Sequence, residues 1–112
     1  MNNPLPTLIY TEATRVALNK TLDIICGKWR LQIIYQIGDN ARRYGELRRL
    51  IPAVSEKVLI QELKALINLG VIEKKSYGEV PPRVEYSLTN KGQQVLPQLL
   101  SLTAIGEMFL KP

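Results

Sequence analysis

RRYGELRRLIPAVSEKVLIQELKALINLGVIEKKSYGEVPPRVEYSLTNK, residues 42–91, decides the fold. Its centre is the run from Ser55 to Gly70. Ser55 suits a helix N-cap, because its hydroxyl can accept one of the unpaired N–H groups of the first turn. Val54 and Leu59 stand at N′ and N4, where two apolar side chains clip the entering chain against the helix. At about 100° per residue, Lys57, Gln61, Lys64 and Asn68 share one side while Leu59, Leu63 and Leu66 take the other. Gly70 supplies the stop.

The flanks extend this pattern. Arg42–Tyr44 suits a short strand that joins a later hairpin, and Gly45 a cap for a helix over 46–51 with Leu47 and Leu50 buried. Pro52 ends that helix, since proline disfavours helical geometry in the residue before it. Val71–Tyr77 reads as a strand, Gly78–Pro82 as a turn, and Arg83–Leu88 alternates polar and apolar as a half-buried strand does. Helix, turn, helix and hairpin in this order make a winged helix-turn-helix, mainly α with a small β-hairpin. Its second helix is shaped to enter a DNA major groove.

Residues 1–10, with two prolines and two asparagines, suit an extended arm. Residues 11–25 carry Val16, Leu18, Leu22 and Ile25 at helical spacing, and Gly27 breaks the pattern. Trp29–Ile37 reads as a second helix, with Leu31, Ile33, Ile34 and Ile37 inward, followed by a turn at 38–40. Thr89 can cap a last helix over 89–110 with an apolar stripe of Val95, Leu96, Leu99, Leu100, Leu102, Ile105 and Phe109, bent or interrupted at Pro97. Residues 11–112 are expected to form one domain: helix-turn-helix 42–70, wing 71–88, and dimerisation helices 11–25 and 89–110. The last stripe is wider than a small domain needs, so Val16, Leu96, Leu99, Leu100, Ile105 and Phe109 are expected to meet a second copy. The alternative is that the stripe covers another element of the same chain.

Charge points to the same segment. The net charge is +5, and residues 42–91 hold ten Lys/Arg against six Glu. A basic segment attracts polyanions, of which double-stranded DNA is the one this fold suits. Gln61 can pair with adenine and Lys57 or Lys64 with guanine, while Ser55 places a helix N-terminus against a phosphate. Arg42, Arg43, Arg48 and Arg49 are expected on phosphates, or in surface pairs with Glu46. Lys74, Lys75 and Arg83 suit a wing on the backbone or minor groove, with Pro81 and Pro82 stiffening its tip.

Other classes fare worse. The chain has no His, no Gly-rich phosphate loop and no metal-ligand cluster, so no catalytic residue, cofactor or metal is expected. The one cysteine, Cys26, excludes an intramolecular disulfide and suggests a reducing compartment. It reads as a small buried residue, with a reactive thiol as the alternative. Trp29 reads as core, with one wall of a small-molecule effector pocket as the alternative; such an effector has no identity in the sequence. No apolar run spans a membrane and the start does not read as a signal peptide, so a cytoplasmic location is expected. Two rivals remain: a winged module that binds protein, and a non-specific nucleic-acid binder. An RNA binder would expose stacking aromatics, and only Tyr77 stands near the basic surface.

The chain resembles the HxlR-type winged helix-turn-helix regulators of bacteria. The resemblance rests on Leu22–Trp29 with its Gly27-Lys28-Trp29, on Arg43–Arg49, on Pro52 and Ser55–Leu59, on Leu63, Gly70 and Gly92, and on Val80–Thr89. These span roughly residues 16–106. The resemblance implies a homodimer built by the first and last helices, on an operator with two-fold symmetry. A chain this short leaves little room for a separate activation domain, which favours a repressor. Two positions depart from the family. The thiol that many members carry early in the first helix falls near Val16 here, and Cys26 stands where the family has glycine. Ile105-Gly106 lacks the Trp that often precedes that glycine. Thiol sensing is therefore not carried over.

Overall fold

The computed structural model describes residues 9–110. Most of the expected arm, residues 1–8, lies outside them. Helix α1 spans Glu12–Ile25, α2 Arg30–Ile37, α3 Tyr44–Leu50, α4 Glu56–Asn68, α5 Asn90–Ser101 and α6 Thr103–Leu110; strands are β1 Arg42–Arg43, β2 Ile72–Ser76 and β3 Val84–Leu88. The sheet is antiparallel in the order β1-β3-β2. Arg42 lies opposite Tyr86, and Lys74 lies opposite Tyr86 from the other side, so β3 is the central strand. The short strand ahead of the helix-turn-helix thus joins the hairpin as expected.

One core holds these elements. Ile33, Ile34 and Ile37 of α2 meet Leu47 of α3, Leu59, Leu63 and Leu66 of α4, Ile72 and Leu88 of the sheet, and Leu96 and Leu99 of α5. Each such side chain contributes about 1.5–3 kcal/mol by leaving water. Leu63→Ala removes the middle of the α4 contact and is expected to cost about 2–5 kcal/mol. Trp29 packs partly buried against this core.

Gly70 ends α4 with φ +79, a left-handed geometry in which a Cβ is strained. Val71 N donates to Leu66 O and Gly70 N to Ile67 O, each at 3.0 Å, so two of the last carbonyls of the helix are satisfied. The chain then comes back to the same point. Thr89 N donates to Val71 O at 3.0 Å, Thr89 Oγ1 donates to Gly70 O at 2.6 Å, and Thr89 Oγ1 caps α5 by accepting from Gly92 N at 3.0 Å. A Cβ on Gly92 would stand 2.3 Å from Val71 O, so only glycine lets α5 start this close to β2.

Several expectations need correction. Helix α3 begins at Tyr44, not after Gly45, because Glu46 Oε1 accepts from Arg43 N at 2.8 Å and closes the first turn two residues earlier. Leu50, at the end of that short helix, is exposed rather than buried. The last helix is interrupted at Leu102, not at Pro97, which α5 accommodates. There Leu102 N donates to Leu99 O and Ile105 N to Leu102 O, tightening the junction. Leu96 and Leu99, expected at a dimer face, are 8% and 7% exposed and belong to the protomer's own core. Cys26 is exposed, since it follows the last residue of α1 and faces outward there.

Neither α1 nor α6 buries a single residue. The molecule is correspondingly long, 64 × 37 × 23 Å with a radius of gyration of 17.1 Å. A compact chain of this length has a radius of about 13 Å.

Candidate nucleic-acid interface

Helix α4 is held from four directions. Ser55 Oγ accepts from Val58 N at 3.2 Å and caps its start. Leu59, Leu63 and Leu66 anchor its inner face, and the Gly70 turn fixes its end. Arg30 Nε, at the start of α2, donates to Glu62 Oε2 at 2.7 Å, with both side chains about one-fifth exposed. Arg30 Nη1 also donates to the carbonyl oxygen of Asp23 in α1. One guanidinium therefore ties α1, α2 and α4 together. Sequence reading missed this pair, although Glu62 borders the apolar stripe of α4, where a carboxylate needs a partner.

So held, α4 turns Lys57, Gln61, Lys64 and Asn68 to solvent, as its periodicity requires. Beside them runs a groove of about 380 Å³ between α4 and the sheet, lined by Tyr44, Glu56, Ile60, Lys64, Lys74 and Tyr86. Burial raises the Tyr86 phenol above its ordinary pKa, with the neighbouring Tyr44 adding to the effect, so Tyr86 stays neutral.

The wing has two unlike faces. Strand alternation puts Lys74 and Tyr86 toward α4, and Lys75, Tyr77, Arg83 and Glu85 on the reverse. On the reverse face Arg83 lies 3.9 Å above the Tyr77 ring and pairs with Glu79 at 3.4 Å, while Lys75 Nζ stands 5.1 Å from the same ring. Tyr77 donates its hydroxyl to Glu85 at 2.8 Å, and that bond is the main reason its phenol titrates above the usual range. Tyr77 is thus engaged as the keel of the wing, and its ring already carries a guanidinium where a base would stack.

The arginines divide as well. Arg42 Nε donates to Gln36 O at 2.8 Å and pins β1 to the end of α2. Arg43 and Arg49 are exposed and Arg48 is partly so. Glu46 is occupied by the backbone N–H of Arg43, not by an arginine side chain. Two further concavities lie off this surface. A cleft of about 350 Å³ between α2 and the α5–α6 junction is lined by Leu31, Tyr35, Leu99 and Leu102, with Gln32, Gln36 and Thr103 as its polar members. Trp29 is not among them. A shallower hollow holds Cys26 beside Asp23, Arg30 and Glu62. Among the described residues no cluster of His, Cys, Asp and Glu could hold a metal, and no helix is long and apolar enough to cross a membrane.

The arrangement of a capped, solvent-facing second helix beside a three-stranded wing has close counterparts. A family model for HxlR-like helix-turn-helix proteins matches residues 24–112. The chain belongs to the HxlR-like family. YdeP of Bacillus subtilis, named as an HTH-type transcriptional regulator, is 40% identical over 89 residues, covering 80% of this chain and 70% of its own. A solved structure from Porphyromonas gingivalis W83, described as a regulator of the MarR family, is 50% identical with a TM-score of 0.76, over 90% of this chain and 97% of that one. The redox regulator HypR in its oxidised form superimposes with a TM-score of 0.76 at 36% identity, over 82% of this chain and 95% of its own. This HxlR-like chain is accordingly a transcriptional regulator with a helix-turn-helix DNA-binding domain, and its relatives are regulators, not enzymes.

Proposed function

We propose that the protein is a sequence-specific repressor that binds a palindromic operator as a homodimer. The observation that carries this reading is the pairing of two outward faces in one chain. Helix α4 exposes Lys57, Gln61, Lys64 and Asn68, while α1 and α6 expose Val16, Leu22, Ile105, Met108 and Phe109. The first face offers donors to base edges. The second needs an apolar cover, and a second copy offers the same helices by a two-fold axis. In this reading the dimer face is Val16, Leu100, Ile105 and Phe109, without Leu96 and Leu99. Recognition helices related by that axis suit half-sites about one helical turn, roughly 34–36 Å, apart.

Gln61, Lys57 and Lys64 read bases, with Ser55 and the start of α4 against a phosphate. Arg43, Arg48 and Arg49 take phosphates on one flank, Lys74 on the other. Arg42 and Arg83 act mainly by positioning β1 and the wing, because Gln36 O and the Tyr77 ring already hold them. Lys75 adds positive potential on the reverse of the wing. Occupancy of an operator that overlaps a promoter excludes polymerase from it, so repression of this kind needs no part beyond the DNA-binding and dimer faces.

The test is selection of bound duplexes from a random pool with purified protein, followed by a promoter–reporter fusion to the selected site. An inverted repeat that silences the reporter is expected. Enrichment of no sequence, or reporter activity that rises with the protein, would overturn the reading.

A further inference from the structure

Amid the donors of α4 stands one apolar side chain that the core does not claim. Ile60 is 39% exposed, while the other large apolar residues of the helix centre, Leu59, Leu63 and Leu66, are buried. It lies one turn from both Lys57 and Lys64 and next to Gln61, so three donors of the outward face surround it. Its other side lines the groove shared with Lys74 and Tyr86, where the wing faces the helix. An aliphatic group at that place meets whatever α4 meets.

In the major groove one base carries an apolar substituent: thymine, through its 5-methyl group. The polar heads of Lys57, Lys64 and Gln61 seek hydrogen-bonding groups on the base edges, whereas the wholly aliphatic Ile60 that they surround suits a methyl group. We propose that Ile60 is a specificity-determining residue that packs on a thymine 5-methyl group in each operator half-site. The proposal rests on the reading of α4 as the base-reading helix. It assigns to Ile60 the choice of thymine over cytosine at one position next to those read by the donors. Desolvating one methyl against an aliphatic side chain corresponds to about three- to five-fold in affinity per half-site.

The experiment uses the full chain and the inverted repeat recovered by duplex selection. Each thymine of a half-site is replaced in turn, symmetrically, by deoxyuridine, which removes the methyl and leaves every hydrogen-bonding group in place. Affinity is measured by fluorescence anisotropy for wild type, Ile60→Ala and Ile60→Val. One thymine per half-site is expected to show a loss of about ten-fold or more when both copies are replaced. Ile60→Ala should bind the thymine and uracil duplexes equally, and Ile60→Val should keep part of the difference. Far-ultraviolet circular dichroism checks that each variant is folded. A selected site without thymine, indifference of wild type to uracil at every position, or a uracil effect that survives in Ile60→Ala would each overturn the assignment of Ile60 while leaving sequence-specific binding intact. Failure of the selection to enrich any sequence would instead remove both.

Discussion

Helix α4 turns Lys57, Gln61, Lys64 and Asn68 to solvent, whereas α6 turns out Ile105, Met108, Phe109 and Leu110. Both faces are open in the lone chain, but water treats them differently. The α4 face is hydrated and stable as it stands, and it gains by exchanging counterions and water for phosphate and base edges. The α6 face is costly as it stands, with Phe109 85% exposed. The lesson is that exposure has opposite meanings in the two helices. In α4, on the proposed reading, it marks a surface kept ready for DNA that comes and goes. In α6, on the proposed dimer, it marks a surface that a second copy covers.

The largest expected effect falls on α6. Phe109→Asp should place a charge where two copies meet in the proposed dimer and raise the dissociation constant at least about a hundred-fold, since each of the two copies loses the burial of one such ring, worth about 1.5–3 kcal/mol apiece. Sedimentation equilibrium reads this directly. A wild-type protein that sediments as a monomer at micromolar concentration would break the comparison. Next in size, Gln61→Ala should cost about 1–3 kcal/mol on the selected duplex, leave scrambled DNA unaffected, and relax preference at one base pair per half-site. Equal losses on both duplexes would mean that the α4 face carries charge but no information.

A smaller effect separates the two lysines of the wing. Lys74→Ala should lower the slope of log affinity against log salt by about 0.9 per contact on every duplex. Lys75→Ala should lower it less, because Lys75 stands across the strands from Glu85 on the face away from α4. Identical slopes for the two variants would show that the wing presents its edge, not its α4-side face. The smallest expected effect is none. Cys26 is exposed, but Arg30 beside it is committed to Glu62, and Lys28 Nζ sits 5.0 Å from the Trp29 ring. Cys26→Ser is expected to keep operator affinity and its response to peroxide. Release of wild type from DNA by peroxide, with the serine variant spared, would make Cys26 the switch.

What could be read from the sequence follows the same division. The α4 face was legible because Ser55, three inward leucines and Gly70 fix start, phase and stop within one helix. The ownership of the C-terminal stripe was not. Leu96, Leu99, Leu100 and Ile105 repeat at helical spacing, and periodicity says that a face is apolar without saying which body covers it. The fold gives Leu96 and Leu99 to the protomer's own core and leaves Leu100 and Ile105 outside. The start of α3 was misplaced because Gly45 looks like a cap, whereas the carboxylate of Glu46 reaches back to Arg43 N. The Arg30–Glu62 tie joins residues 32 apart, so no local pattern announces it. The same holds for the two faces of the wing, which depend on the register of Lys74 against Tyr86.

The meeting of Gly70, Val71, Thr89 and Gly92 has a mechanical consequence. The end of α4 and the start of α5 are welded at one spot by Thr89, with a gap that admits no side chain at Gly92. The junction has no slack to absorb a rotation. A swing of α5 about its own contacts would therefore press on the end of α4 and alter its pitch or reach, as a crank carries the turn of its handle. In the proposed dimer, the spacing between two recognition helices would then depend on the far end of the molecule, and a small change there would be felt as a mismatch to the helical repeat of DNA.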